Sequence, residues 1–369
     1  MPSKVEIDRH LNILLEYQHP SGGFPASPTF PPYRYCWFRD GSFTAHALEL
    51  YGKHEAAHRF HQWCVDTILR HAHLLESTRD TILRGDLLKP EECFPCRFSL
   101  DGQPLQDGWG NHQLDGLGTW LWAVSDHLER SPCTPPAEWQ HARALTASFL
   151  QALWRFPCYD CWEEHPHDLH TYSLAAAYGG LQAHGRTQKD PASTAAAGEI
   201  HSYVLKHGVV NGRLAKRFGS EEIDASLLGA ALPFGLLDPA SVIMTRTLQT
   251  IEDQLTSPSG GVHRYQADTY YGGGEWILLT AWKGWLHARR GELDQALQAL
   301  AWVQGSVDAN GYLPEQTSRH LLAPDFLPRW EQQWGSSASP LLWSHSMALI
   351  LKYNLLRVQE DTGRSWSNG

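Results

Sequence analysis

The segment Asn310-Gly-Tyr-Leu-Pro-Glu315 is the last of three similar turns, after Asn211-Gly-Arg-Leu214 and Gly260-Gly-Val-His-Arg264. In each turn a glycine follows a run of helical periodicity and precedes a short alternation of apolar and polar residues. Arg213, Arg264 and Glu315 are 51 residues apart in both steps. About 50 residues is the length of two helices with their loops, so the spacing predicts a chain built from repeated helix pairs.

The same step, taken backwards, lands near Trp162-Glu163 and then near Trp109-Gly110. If the pairs close into a ring, equivalent loops meet at one end of it, and one mouth then receives Trp109, Glu163, Arg213, Arg264 and Glu315. Six pairs predict an all-α fold, an (α/α)6 barrel. An open solenoid of the same pairs is the alternative that periodicity leaves open.

Helical periodicity extends along almost the whole chain, as in Leu114, Leu117 and Leu121. The predicted helices cover residues 4–17, 40–52, 54–75, 112–130, 137–155, 168–185, 190–207, 223–231, 239–255, 273–290, 292–305 and 339–358. Alternating runs of Val, Ile and Thr are scarce, so we expect few strands and no accessory β domain. No linker divides the chain, which predicts one domain over residues 1–369. Two long irregular stretches, 76–111 and 306–338, are typical of functional loops.

The composition excludes several classes of protein. Apolar residues make up 42% and charged residues 19%, which is typical of a folded chain. The net charge of −10 argues against nucleic acid as a partner, because phosphates require a surplus of basic residues. No apolar run reaches the roughly 20 residues that cross a bilayer, and no secretory signal is visible. We therefore expect a cytoplasmic protein without a membrane partner.

Seven cysteines include two CxxC pairs, Cys93/Cys96 and Cys158/Cys161. Such pairs hold zinc in some proteins, but here two predicted helices lie between them, more than a zinc ribbon contains. Reduced thiols are the expected state, and no metal or other cofactor is predicted. Tryptophan (16) outnumbers tyrosine (13) and phenylalanine (12). Indole rings suit flat ligands with an apolar face and a hydroxylated rim, such as sugars, although packing between helices also uses them.

Carboxylates lie beside aromatic residues in two segments. Arg39 and Asp40 follow Tyr33 and Trp37, a pattern that either forms a surface ion pair or grips hydroxyl groups. In Trp162-Glu163-Glu164 an indole adjoins two carboxyls, which raises a carboxyl pKa toward that of a general acid; acids at a helix N-terminus are the alternative.

If the ring closes, Glu315 faces Glu163 across the mouth. Two carboxylates on opposite sides of a sugar-sized pocket are the minimum apparatus for hydrolysis of a glycosidic bond.

Seven motifs, in order, resemble the glucoamylase-type glycoside hydrolases of family 15. They are Trp37-Phe-Arg39-Asp40, Asp107-Gly-Trp109-Gly-Asn111-His-Gln113-Leu-Asp115-Gly116, Trp162-Glu163-Glu164 with the later Ser173, Asp224-Ala-Ser-Leu-Leu228, Gly260 to Trp276, Gly311-Tyr-Leu-Pro-Glu315-Gln316, and Pro340-Leu-Leu-Trp343-Ser344-His345. The segment from Gly260 to Trp276 is the most specific of them. The resemblance covers nearly the whole chain and implies the same barrel.

The resemblance also implies roles. Glu163 would be the general acid and Glu315 the general base of an inverting hydrolase. The hydroxyls of the terminal glucose would be held by Arg39, Asp40 and Arg264. Tyr33 and Trp37 would line the glucose pocket. The pocket floor or the leaving sugar would be met by Trp109, Trp162 and Glu164.

A helix that begins almost at once leaves no room for the N-terminal β-sandwich or the starch-binding module of many relatives. We therefore expect short α-glucosides as substrates, as in the single-domain members that hydrolyse isomaltose, with β-glucose released from the non-reducing end. Alternatives are hydrolysis of trehalose or malto-oligosaccharides on the same site, and a catalytically silent sugar-binding regulatory protein. Retention of both Glu163 and Glu315 favours an enzyme. The sequence predicts neither the linkage preference nor the oligomeric state.

Overall fold

The computed structural model describes residues 3–89, 92–105, 107–130 and 135–362. The α-helices within these ranges are α1 (Lys4–Glu16), α2 (Phe38–Leu50), α3 (His54–Arg70), α4 (Ala72–Arg84), α5 (Asp115–Arg130), α6 (Ala137–Leu153), α7 (Thr171–Gln188), α8 (Pro191–His207), α9 (Val242–Leu255), α10 (Ile277–Arg289), α11 (Leu293–Gln304), α12 (Leu327–Trp334) and α13 (Leu342–Thr362). Three antiparallel two-residue ladders pair β1 (Cys36–Trp37) with β2 (Arg97–Phe98), β3 (Val209–Val210) with β4 (Arg213–Leu214), and β5 (Glu275–Trp276) with β6 (Gln316–Thr317).

The helices form two concentric rings. The inner ring consists of α2, α5, α7, a 3-10 helix (Ala225–Ala230), α10 and α13, each packed against the next, and α13 packs back against α2. The outer ring consists of α1, α3, α6, α8, α9 and α11, each packed against the inner ring. Since the last inner helix contacts the first, the ring is closed. The predicted (α/α)6 barrel is confirmed, and the open solenoid is excluded.

Inner and outer helices differ in burial because of where they lie. Every residue of α10 from Ile277 to Ala288 is buried, whereas α9 buries only one face. A helix surrounded on all sides needs apolar or small side chains throughout. Where α5 meets α7, a Cβ on Gly180 would come within 2.5 Å of the Gly118 carbonyl oxygen, so only glycine allows the two backbones to approach this closely.

The middle of the ring is filled by aromatic side chains. The ring centre of Phe43 lies 5.2 Å from both Trp282 and Trp343, and those two indoles are 6.1 Å apart. These three residues come from three different inner helices, α2, α10 and α13. The barrel is therefore a packed core at this level and not a channel.

The connections alternate in length. Each long connection leads into an inner helix, over residues 17–37, 85–114, 154–170, 208–224, 256–276 and 305–341. The second of them follows α4, an extra helix after the outer helix α3, and the last contains α12. Short connections, such as 51–53, 189–190 and 290–292, lead back from inner to outer helices. Because consecutive helices run in opposite directions, all long connections gather at one end of the ring. We call this the loop end.

Three elements differ from the sequence prediction. The helix predicted over 54–75 breaks at His71 and continues as α4 to Arg84, so part of the stretch 76–111 is helical. In the stretch 306–338, α12 forms a short helix whose Pro328 and following Gly335 masked its periodicity. The predicted helix 223–231 is a six-residue 3-10 helix. No helix in the described parts of the chain has the length and hydropathy needed to span a membrane.

Candidate active site

A cavity of about 570 Å³ opens at the loop end of the ring. It is lined by all ten residues predicted for the site: Tyr33, Trp37, Arg39, Asp40, Trp109, Trp162, Glu163, Glu164, Arg264 and Glu315. These residues come from five of the six long connections and from the start of α2. The volume lies within the range of about 300–1,000 Å³ that is typical of small-molecule sites.

Arg213 does not reach this cavity, so the predicted convergence is wrong for that residue. The connection 208–224 folds as the β3–β4 hairpin, and β4 packs against the outer helix α9. The Arg213 guanidinium donates hydrogen bonds to the carbonyl oxygens of Leu214 (3.0 Å) and Glu221 (2.6 Å). The fourth connection instead contributes the buried Lys216 and Asp224 behind the cavity wall.

Glu163 lies on a tight turn that Asp160 organises. One carboxylate oxygen of Asp160 accepts hydrogen bonds from the backbone N–H groups of Trp162 and Glu164, both at 2.9 Å. Glu163 itself has φ 61°, a left-handed conformation that residues other than glycine rarely adopt. The turn therefore holds the Glu163 side chain in one direction, into the cavity.

The Glu163 carboxyl is held by two donors. Its Oε1 accepts hydrogen bonds from Gln113 Nε2 (3.1 Å) and from Arg39 Nη2 (3.3 Å). Burial raises the pKa of Glu163 to about 7, although Arg39 and Gln113 act in the opposite direction. A carboxyl with such a pKa retains a substantial protonated fraction near neutral pH, as a general acid requires.

Glu315 is held by its backbone. Its N–H donates to Ala338 O (2.8 Å), and its carbonyl accepts from Ile277 N (3.2 Å) beside the β5–β6 ladder. The residue is only 3% exposed, and within the described part of the chain its Oε2 has no hydrogen-bond partner. Burial raises the pKa of Glu315 to about 8, against the opposing effects of Tyr33 and Arg264.

Glu275 lies in β5, which pairs with β6 directly after Glu315. Its buried carboxylate accepts hydrogen bonds from side chains of two loops. It accepts from Ser257, Ser259 (2.6 Å), Thr317 (2.7 Å) and His320 (3.0 Å). Burial alone would raise the pKa of Glu275, but these hydrogen bonds lower it. Thr317 and His320 belong to the connection that carries Glu315, so Glu275 fixes that connection to its neighbour.

Arg39 and Asp40 form one charged group at the start of α2. Arg39 donates to Asp115 Oδ2 (3.0 Å), and its Nε lies 3.3 Å from Asp40 Oδ2. Burial would lower the pKa of Arg39, but Asp115, Asp40 and Glu163 hold it well above its usual value. Apart from this contact with each other, Arg39 Nε and Asp40 Oδ2 have no polar partner among the described residues.

Arg264 forms the second charged group. Its guanidinium binds Asp268 through two hydrogen bonds of 2.8 and 2.5 Å, and its Nη2 lies 3.6 Å from Glu164 Oε1. Four aromatic rings surround the guanidinium at 5.1–5.3 Å from their centres: Trp162, Tyr265, Tyr270 and Trp276. Tyr265 also donates to Glu164 Oε2 (2.6 Å). Glu164 is thereby joined to Arg264 on the wall beside Glu163.

The aromatic wall is supported from behind. The Arg97 guanidinium stacks on Trp109 at 4.0 Å and on Trp37 at 5.4 Å. The Tyr33 and Tyr270 hydroxyls share a hydrogen bond of 2.8 Å. The indole N–H groups of Trp37 and Trp109 are buried and have no hydrogen-bond partner in the described ranges.

Several lining residues were not assigned a role by sequence reasoning. Trp276, Trp343 and the supporting Gln113 and Asp115 occur in motifs that were quoted, so their signal was present but unused. Arg329, Trp330, Gln333 and Trp334 of α12 also line the cavity. The only signal for α12 was its position in the long stretch 306–338.

Cys161 lines the cavity, and six cysteines in the described parts of the chain are buried free thiols; Cys133 lies outside those parts. Burial raises the pKa of the Cys158 thiol to about 12 and that of Cys93 likewise. Within the same residues, no group of three His, Cys, Asp or Glu side chains is placed to hold a metal ion.

Comparisons with known proteins identify the family and the fold of the chain. The model of glycosyl hydrolases family 15 matches residues 9–301. An isomaltose glucohydrolase of Kribbella flavida is 40% identical over 94% of this chain and 91% of its own length. A glycosidase variant solved in complex with glucose superimposes with a TM-score of 0.90 and 38% identity, covering 96% of this chain and 99% of that one. A bacterial glucoamylase complexed with acarbose, 17% identical with a TM-score of 0.72 over 96% of this chain and 55% of that one, shares the fold.

Proposed function

The chain belongs to glycosyl hydrolases family 15, and from that premise we propose that it is an exo-acting, inverting α-glucoside hydrolase. Its substrates are short α-glucosides, with isomaltose and isomalto-oligosaccharides first among them, and its product is β-glucose from the non-reducing end. The observation that carries the proposal is the presence of two carboxyls in the wall of one sugar-sized cavity: Glu315, which is 3% exposed, and Glu163, whose side chain is 19% exposed.

The chemistry requires one protonated and one ionised carboxyl. Burial raises the pKa of Glu163 to about 7 and that of Glu315 to about 8, so these values do not assign the two roles. The assignment rests on the hydrogen bonds of each carboxyl and on the family resemblance. Glu163 donates its proton to the glycosidic oxygen as the bond between that oxygen and the anomeric carbon breaks. A water molecule attacks the anomeric carbon from the opposite face and gives its proton to Glu315. The anomeric configuration is inverted, and each carboxyl returns to its starting state when protons exchange with solvent.

The unpartnered Oε2 of Glu315 supports the role of base. A carboxylate oxygen that no protein group occupies is free to accept a hydrogen bond from the attacking water. The hydrogen bonds on Glu163 Oε1 leave its other oxygen to carry the proton toward the leaving group. The transition state develops positive charge on the sugar ring, and the nearby Asp40 carboxylate would favour that charge.

Exo action is supported by the floor of the cavity. Phe43, Trp282 and Trp343 fill the ring below it, so a glucan cannot pass through and only a chain end can enter. We assign Arg39, Asp40 and Arg264, which line the cavity, to the hydroxyls of the terminal glucose. Planar guanidinium donors and a carboxylate acceptor match vicinal hydroxyls.

The preference for isomaltose is carried over from the Kribbella flavida relative, at 40% identity. We also propose that residues 1–369 form a single catalytic domain. The protein would act on this substrate in the cytoplasm.

The test is a screen of glucose release from isomaltose, panose, maltose, trehalose and soluble starch, with the first anomer identified by polarimetry. Isomaltose as the best substrate and β-glucose as the first product are expected. Best activity on trehalose or maltose would change the substrate assignment, and α-glucose would contradict inversion. Binding of glucose without release from any substrate would favour a silent sugar-binding protein.

A further inference from the structure

Helix α12 forms part of the rim of the cavity. Arg329, Trp330, Gln333 and Trp334 line the cavity, and their spacing along the chain places them on one face of the helix. Gln332 lies between Trp330 and Gln333 in the sequence, but it is exposed and does not line the cavity. One side of α12 is therefore turned toward the site.

Trp330 anchors the helix. Its indole stacks on Tyr271, with ring centres 5.9 Å apart and 22° between planes, and meets the edge of Tyr270 at 5.0 Å. The Tyr270 hydroxyl is in turn bonded to Tyr33. The position of α12 is thus fixed relative to the inner part of the site.

The other three side chains on this face are not used by the protein fold. Trp334 is 42% exposed and touches the described structure mainly through Phe30, whose ring centre is 6.4 Å away. The side chains of Arg329 and Gln333 form no hydrogen bond or ion pair with any described residue. An exposed indole beside a free guanidinium and a free amide offers an apolar face together with hydroxyl partners, which is what a sugar unit requires.

We propose that this face of α12 binds the leaving sugar of the substrate, with Trp334 as the stacking surface and Arg329 and Gln333 as hydroxyl partners. The inference rests on the proposed function and adds the part of the substrate that α12 recognises. The charged groups around Arg39 and Arg264 hold the terminal glucose in the inner cavity. The next unit must then lie between Glu163 and the rim, where α12 lies.

The test compares two substrates that differ only in the leaving group. Isomaltose places a second glucose beneath α12, whereas α-D-glucosyl fluoride carries no sugar there. In Trp334→Ala we expect kcat/KM for isomaltose to fall about tenfold, mainly through KM, because stacking of this kind is worth about 1.4 kcal/mol. The value for the fluoride should stay within about twofold, which also shows that the variant is folded.

Two further variants complete the design. Gln332→Ala, on the same helix and outside the cavity lining, should leave both substrates unchanged. Trp334→Phe should restore most of the isomaltose efficiency, because a flat ring remains. The inference is overturned if Trp334→Ala leaves isomaltose hydrolysis unchanged or reduces both substrates equally. A wild-type protein that hydrolyses neither substrate would contradict the proposed function instead.

Discussion

Glu163 and Glu315 are both carboxyls of the cavity wall with raised pKa values, yet the protein holds them in opposite ways. The turn of Glu163 is fixed by Asp160, and its carboxylate accepts hydrogen bonds from Gln113 and Arg39. Glu315 is fixed through its backbone, and one of its carboxylate oxygens has no partner among the described residues. The comparison indicates that a proton donor is best aimed by contacts to its carboxyl, whereas a base must keep an oxygen free for water.

The strongest test of this contrast replaces each glutamate and varies the leaving group. Fluoride leaves without receiving a proton, whereas the leaving sugar of isomaltose needs one. Glu315→Gln should lower kcat about 10²–10⁴-fold on isomaltose and on α-D-glucosyl fluoride, because both reactions need the activated water. Glu163→Gln should lose a similar factor on isomaltose but less than about tenfold on the fluoride.

Steady-state kinetics on both substrates measures this difference, with glucose binding and circular dichroism as controls for folding. Equal losses of Glu163→Gln on the two substrates would remove it as the acid. Nearly unchanged activity of Glu315→Gln would remove that residue as the base.

A smaller effect is expected from the supports of the two carboxyls. Asp160→Ala leaves two backbone N–H groups unpaired and releases the turn of Glu163, so kcat should fall by about 10–100-fold with a smaller change in KM. Asp160→Asn keeps an acceptor oxygen and is the matched control. Glu275→Gln presents an amide nitrogen to donors that need an acceptor, and the connection bearing Glu315 should loosen with a similar loss in kcat.

The prediction is checked by measuring kcat and KM for isomaltose in the three single variants, Asp160→Ala, Asp160→Asn and Glu275→Gln. The same constants are measured in the double variant that combines Asp160→Ala with Glu275→Gln. Independent supports should give losses that multiply in the pair. Full activity in both single variants would mean that neither contact positions a reacting group.

The smallest expected effect is on thermal stability, where Glu315 and Glu275 should respond to pH with opposite signs. The pKa of Glu315 rises from an ordinary 4.5 to about 8 on folding, so the folded protein retains a proton that the unfolded chain releases in this window. Stability from this group is therefore lost as pH rises from about 4.5 to 8. Glu315→Gln should raise Tm relative to wild type by about 1–4 °C at pH 9 and by less at pH 4.5.

Glu275 should behave with the opposite sign. Its lowered pKa stabilises the folded protein above pH 4.5 and ceases to do so as pH falls through the folded value. Glu275→Gln should therefore cost most Tm at neutral pH and less in acid. Thermal scans of both variants across pH check the two signs, and parallel curves for them would contradict the contrast.

The repeat of 51 residues predicted the helix pairs and, on the condition that the ring closes, four of the five residues expected at its mouth. The repeat left the open solenoid possible, and closure was implied by the family resemblance. Arg213 was predicted wrongly because a fixed spacing identifies equivalent loops but does not determine which strand a short hairpin presents. Its hairpin turns the side chain toward local carbonyls.

Features that depend on tertiary contacts were not accessible from the sequence. The helix α12 is only eight residues long and buries none of them. Its amphipathic pattern is confined to the short segment before Gly335, too short to be recognised as a helix from the sequence. The support given by Asp160 and Glu275 arises from side chains that meet only after folding. The motif residues Gln113 and Asp115 were visible, but their contacts with Glu163 and Arg39 were not.

The closure of the ring has a consequence for how the molecule matures. Asp40 belongs to the first inner helix, Glu315 precedes the last, and α13 must dock against α2 before the floor of the cavity is complete. Contacts this distant along the chain form late, since they carry the largest entropic cost of association. A partly synthesised or partly refolded chain is therefore inert, and the recovery of turnover after dilution from denaturant reports the final docking event rather than the earlier formation of helices.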